Sequence, residues 1–117
     1  MKHRIGIVGV GLMGGWLAQH LLAAGYSVIA HDLDPAKVDA VVKAGGKKVD
    51  SPDQIAAQVD VIILSLPNSK IVDDVVRNSL KLFETGRKGL ILLDASTADP
   101  MQSKALAAEL AAKGVEM

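Results

Sequence analysis

Residues 4–14 read RIGIVGVGLMG, and this stretch decides the fold. A short apolar run, Arg4 to Val8, reads as a buried strand. It ends in Gly9-Val10-Gly11-Leu12-Met13-Gly14, a G-x-G-x-x-G pattern, and an amphipathic helix follows from about Leu12 to Ala24. The pattern alone is weak, because 11 glycines in 117 residues produce chance spacings. Strand before and helix after make it strong. Gly9 permits a tight turn, Gly11 lets a diphosphate approach bare backbone, and Gly14 lets the helix pack close to the sheet. The first N–H groups of the helix, at its positive end, then face the phosphates.

Outward from this loop, apolar runs alternate with helical patterns. Ser27 to His31 is predicted as a strand, Pro35 to about Ala44 as a helix, and Lys47 to Val49 as a short strand. Ser51 to Val59 is predicted helical, Asp60 to Leu66 a buried strand, and Asn68 to Phe83 one helix with Ile71, Val72, Val75, Val76, Leu80 and Phe83 on one face. Gly89 to Asp94 is another buried strand, and Pro100 to Lys113 an Ala-rich helix ended by Gly114. Asp34-Pro35, Ser51-Pro52 and Asp99-Pro100 each set a cap residue before a proline at the first helical position, with Gln54 placed to reach back to Ser51. Strands and helices alternating in this way specify an α/β fold: a Rossmann-type doubly wound parallel sheet in three αβα layers. Val115-Glu116-Met117 reads as the start of a further, truncated strand. Residues 1–117 are therefore expected to be one dinucleotide-binding domain, a fragment or an excised unit.

Composition agrees. Half the residues are apolar but only 3% are aromatic, so the core is built from Val, Ile, Leu and Ala, as in parallel sheets. Lys+Arg and Asp+Glu both total 13, which leaves no electrostatic footprint for nucleic acid or an anionic membrane. No run spans a bilayer, and the short, glycine-broken N-terminal stretch is a poor signal peptide, so the expected location is cytoplasmic. Without cysteine, and with His3, His20 and His31 widely spaced, no metal site is expected.

Asp32 follows the second strand, 18 residues beyond Gly14. An acidic side chain there accepts hydrogen bonds from the adenosine ribose hydroxyls, worth roughly 1.5–3 kcal/mol for a charged acceptor. It repels a 2′-phosphate, so NAD is favoured over NADP; Lys37 could still reach a 2′-phosphate, which keeps NADP in play. Two other readings compete: a ligand-free glycine turn with Asp32 as a solvated cap, and a methyltransferase, which would not need the third glycine. At the later strand ends, in Leu66-Pro67-Asn68-Ser69 and Asp94-Ala95-Ser96-Thr97, the side chains of Asn68, Ser69, Ser96 and Thr97 read equally well as caps or ligand contacts.

Taken together, Gly9 to Gly14, Leu66-Pro67 and Asp94-Ala95-Ser96-Thr97-Ala98-Asp99-Pro100 resemble the N-terminal domain of the β-hydroxyacid dehydrogenases, a family related to 6-phosphogluconate dehydrogenase and including 3-hydroxyisobutyrate dehydrogenase. The resemblance covers the whole chain. It implies that Gly11, Leu12 and Met13 line the pyrophosphate, Asp32 takes the ribose, Leu66 and Pro67 flank the cofactor, and Thr97 lies by the nicotinamide ribose. Ile71 falls where relatives often carry a cofactor-touching Asn. In the family the strand that starts at Val115 runs into a substrate-binding loop, and a helical domain beyond it supplies the catalytic lysine; the resemblance implies that both lie outside this chain. Lys104 and Lys113 do not match that lysine, so no catalytic residue is expected here. The implied parent oxidises a small hydroxyacid with NAD. A stand-alone nucleotide-binding module, a 6-phosphogluconate dehydrogenase-like parent and an imine-reducing parent are the alternatives. The truncated last strand would leave a sheet edge open to homo-oligomer formation.

Overall fold

The strands fall where their apolar runs lie, and their order is what places the site. A computed structural model describes residues 4–10, 12–66, 68–86, 88–94 and 100–117, with backbone only at 12, 13, 69 and 100–103. Strands β1 (Arg4–Val8), β2 (Ser27–His31), β3 (Lys47–Lys48), β4 (Val61–Leu64) and β5 (Ile91–Asp94) form one parallel sheet in the order β3-β2-β1-β4-β5. Helices α1 (Leu12–Ala23), α2 (Pro35–Lys43), α3 (Ser69–Asp74), α4 (Leu82–Thr85) and α5 (Pro100–Ala111) cover it. Glu116 bridges Ile91 in parallel, and its N–H donates to the Leu90 carbonyl at 2.9 Å, so the expected further strand begins where the sequence placed it.

Two cores lie on opposite faces of the sheet. On one, Ile5, Ile7, Val28 and Ala30 meet Ala18 of α1 and Val38 and Val41 of α2. On the other, Val8, Ile62, Leu64 and Leu92 meet Val72 and Val76 of the α3 segment and Leu106 and Leu110 of α5. The second half of the sheet is covered less evenly than its apolar sequence suggests. Ile63 pairs with Leu93 in the register of β4 and β5, and Leu93 is 50% exposed. The chain reverses its direction of travel across the sheet at β4, so helices connecting later strands fall on the other face.

Two helical predictions differ from the structure. Residues 51–59 form only a short 3₁₀ turn, Pro52–Gln54, with the expected Gln54 contact to the Ser51 N–H at 3.4 Å. Ile55, Ala56 and Val59 are fully buried, and a Cβ on Gly6 of β1 would lie 2.7 Å from Ile55 Cγ2, so the segment hugs the sheet directly over β1. The predicted helix over Asn68 to Phe83 is in three pieces. After α3 comes a π-helical turn, Val75–Ser79, closed by the Leu80 N–H on the Val75 carbonyl at 2.7 Å. Lys81 is then left-handed, with φ 53°, before α4. Leu80 and Leu82 are both fully buried. A continuous helix would aim residues two apart about 200° from each other, so burying both in one core requires the break. Arg77 donates to both Asp73 oxygens at 2.9 and 3.0 Å, pairs with Glu109 of α5 and lies 5.1 Å from the Phe83 ring centre. Arg77 thus ties the π turn to α5 through Glu109. Asp73 first, then Glu109, raises the Arg77 pKa above its ordinary value.

Candidate dinucleotide site at the carboxyl edge of the sheet

Strand register brings the predicted site residues level with one another. His31, Val8, Leu64 and Asp94 form one row across the sheet at its carboxyl edge. The residues that follow in each strand, Asp32, Gly9 and Ser65-Leu66, therefore emerge side by side. The strand order turns back between β1 and β4, which is where open α/β sheets bind ligands.

Gly9 has the backbone the sequence required. Its φ is +90°, and a Cβ there would lie 2.2 Å from the Ser65 carbonyl oxygen and 3.0 Å from Leu66 Cδ2. Its N–H donates to the His31 carbonyl at 2.9 Å, and the Ser65 N–H donates to the Val8 carbonyl at 2.9 Å, so the turn is tied to β2 while β4 stays paired with β1. Gly14 lies in the first turns of α1, and a Cβ there would lie 2.3 Å from the Gly9 carbonyl oxygen. This is the close helix–sheet packing expected of the third glycine. The backbones of Leu12 and Met13 open α1, whose first N–H groups have no partner within the helix.

Asp32 is half-buried and joins two loops. Its Oδ2 accepts from the Val10 N–H at 2.6 Å, and its Oδ1 accepts from the Asp34 N–H at 2.9 Å. An ionised carboxylate offers about four acceptor positions, so room is left for two hydroxyls. Sequence reasoning missed the bond to Val10, because nothing local to Asp32 reveals which amide lies across the β1–β2 gap. Asp32 also lines a cleft of about 190 Å³ with Ala30, Pro35, Val38, Lys48 and Val49. Asp39 lines that cleft as well as Lys48. The strand expected at Lys47 to Val49 puts Lys48 there, through a pairing with β2 that the structure supplies.

Leu66 packs beside Gly9, as just described. Ile71, in the first turn of α3, is 37% exposed, and its N–H donates to Asn68 Oδ1 at 3.0 Å. Asn68 is thus a helix cap, one of its two open readings. Asp34 likewise caps α2, accepting from the Ala36 N–H at 3.0 Å. Gly11, Pro67 and Thr97 lie outside the described residues, as do Ser96 and Asp99. His20 is exposed; its Nδ1 lies 3.0 Å from the Trp16 carbonyl oxygen and its ring stacks on Trp16, 57% exposed, at 4.1 Å. Both side chains occupy the side of α1 away from the sheet. The β3 ladder pairs with Ile29 and Ala30 of β2 and stops one residue short of His31.

The residues present fit a dinucleotide. Glycines stand where side chains would collide with backbone, helical amides open onto the turn, and a carboxylate stands at the end of the next strand. Fold and site together define a Rossmann-type dinucleotide-binding domain. Residues 4–117 match the model of the NAD binding domain of 6-phosphogluconate dehydrogenase, and the chain belongs to that family. It is 36% identical over 113 residues to mitochondrial 3-hydroxyisobutyrate dehydrogenase of Bos taurus, covering 97% of this chain and 34% of that protein. The chain thus spans about a third of the length of that curated relative. Among solved structures it resembles 3-hydroxyisobutyrate dehydrogenase from Salmonella typhimurium, at 27% identity and TM-score 0.87, over 97% of this chain and 40% of that one. It also resembles a Streptomyces aurantiacus imine reductase, at 26% identity and TM-score 0.85, over 97% of this chain and 38% of that one. Among the described residues no helix is long and apolar enough to cross a membrane.

Proposed function

We propose that this domain holds NAD for an oxidoreductase that moves a hydride between the nicotinamide and the hydroxyl-bearing carbon of a small β-hydroxyacid. The observation that carries the reading is the meeting of the Gly9 turn, the Asp32 carboxylate and Leu66 at one level on either side of the strand-order reversal. When bound, the nicotinamide supplies the hydride chemistry. The chain's own part is to bind and orient. Backbone amides at the start of α1, with Gly11 among the turn residues, hold the diphosphate, and Leu12 and Met13 line it. Asp32 takes the adenosine ribose. Leu66, Pro67 and Ile71 flank the cofactor from the β4 side, and Thr97 stands by the nicotinamide ribose. No residue of this chain is assigned as proton donor or acceptor; the lysine that fills that role and the groups that bind substrate are assigned to sequence beyond Met117.

Asp32 sets the choice of cofactor. A 2′-phosphate placed against it would meet a carboxylate already committed to two amides. Calorimetric titration of the chain is expected to give NAD at least tenfold tighter than NADP, the equivalent of about 1.4 kcal/mol. Equal affinities, or tighter NADP, would transfer the specificity role to Lys48. An imine-reducing parent is the second reading, favoured by the structural likeness at 26% identity. NADP preference would support it, because Asp32 is the feature that argues for NAD.

A further inference from the structure

Hydrogen bonds run without a gap from the glycine turn to the next helix. The Val10 N–H donates to Asp32 Oδ2 at 2.6 Å, the Asp34 N–H donates to Asp32 Oδ1 at 2.9 Å, and the Ala36 N–H donates to Asp34 Oδ1 at 3.0 Å. We infer that Asp32 is a positioning residue for the diphosphate loop, a strut between the Gly9–Gly14 turn and the start of α2 that sets the turn before nucleotide arrives. The inference rests on the dinucleotide reading above and adds to it a second task for the same carboxylate.

Three features support the strut. Glycine-rich turns lose more conformational freedom on ordering than others, so a turn with glycines at 9, 11 and 14 gains most from an external tie. Bonds from a backbone N–H to a carboxylate are short and about twice as strong as neutral ones, and the one to Val10 is the shorter of the pair. The Val10 side chain is buried in the core under α1, which fixes the residue's place. Asp32 then fixes which way its amide points, leaving the amides of the first turn of α1 for phosphate. Ordering the loop in advance removes that cost from binding. The specificity group and the phosphate loop are therefore one mechanical unit, and removing Asp32 to admit a 2′-phosphate would also loosen the grip on the diphosphate.

The test separates the two tasks with an NAD analogue whose adenosine ribose lacks both the 2′ and 3′ hydroxyls. The unaltered chain, Asp32→Ala and Asp32→Asn are titrated with NAD and with the analogue, and exchange of the Val10 amide is followed by NMR without ligand. A strut predicts that Asp32→Ala binds the analogue about tenfold or more weakly than the unaltered chain does, although no ribose hydroxyl is present. It also predicts Val10 exchange at least tenfold faster. Asp32→Asn should recover part of both, since its amide oxygen still accepts from Val10; it also serves should the alanine variant fail to fold. Equal affinity of Asp32→Ala and the unaltered chain for the analogue, with unchanged Val10 exchange, would overturn the strut and leave Asp32 a ribose ligand alone. Failure of the unaltered chain to bind NAD would refute the dinucleotide reading instead. In that event Val10 exchange still decides the strut, and unchanged exchange in both variants overturns it.

Discussion

Gly9→Val is expected to destabilise the domain by roughly 2–6 kcal/mol and to abolish dinucleotide binding with it. Two costs add. The φ of +90° is open to glycine and strained for a β-branched side chain, at about 1–3 kcal/mol. The Cβ would also lie 2.2 Å from the Ser65 carbonyl oxygen, which is backbone of the neighbouring strand and cannot swing aside. Such overpacking costs about 1–3 kcal/mol more. Against a total stability of about 5–15 kcal/mol for a domain, this is a large fraction. A thermal scan should show the midpoint fall by about 10 °C or more. A variant melting within two or three degrees of the unaltered chain would mean that β1 and β4 separate easily at this edge, and the level arrangement of the site would be lost as an explanation.

Gly11→Val is expected to behave in the opposite way: affinity for NAD falls at least a hundredfold, about 2.7 kcal/mol, while the melting temperature moves by only a few degrees. The proposed task of Gly11 is to leave room for a diphosphate, so its replacement removes a ligand's space rather than a strand's. The pair of variants therefore divides the glycine pattern into a residue that holds the sheet edge and one that serves the ligand. Calorimetry with NAD beside a thermal melt reads both. Retained affinity in a folded Gly11→Val chain would remove the phosphate contact from the turn.

Much of this architecture could be read from residue order. The apolar runs at β1, β2, β4 and β5, the Asp34 cap and the proximity of Asp32 to the glycine turn all follow from period, punctuation and spacing. Features that depend on two elements meeting could not be read so. Periodicity over Asn68 to Phe83 is helical throughout, yet burying both Leu80 and Leu82 breaks the run at Lys81. The apolar content of β5 suggested burial on both faces, but the reversal of chain direction at β4 leaves Leu93 half open. Trp16 and His20 stack on each other in solvent, a contact that depends on how α1 lies on the sheet. At the site, the place of Asp32 beside the glycine turn was legible, whereas its bond to the Val10 amide depends on the β1–β2 register. Asn68 had two readings of equal standing, and the hydrogen bond from the Ile71 amide decides for the cap.

Titrating NAD into the isotope-labelled chain, with backbone amide shifts followed residue by residue, tests the central claim most directly. Saturable changes are expected at Val10, Gly14, Asp32 and the start of α1, at the carboxyl edge of β1 and β2. Changes confined to other surfaces, or none at millimolar NAD, would contradict it.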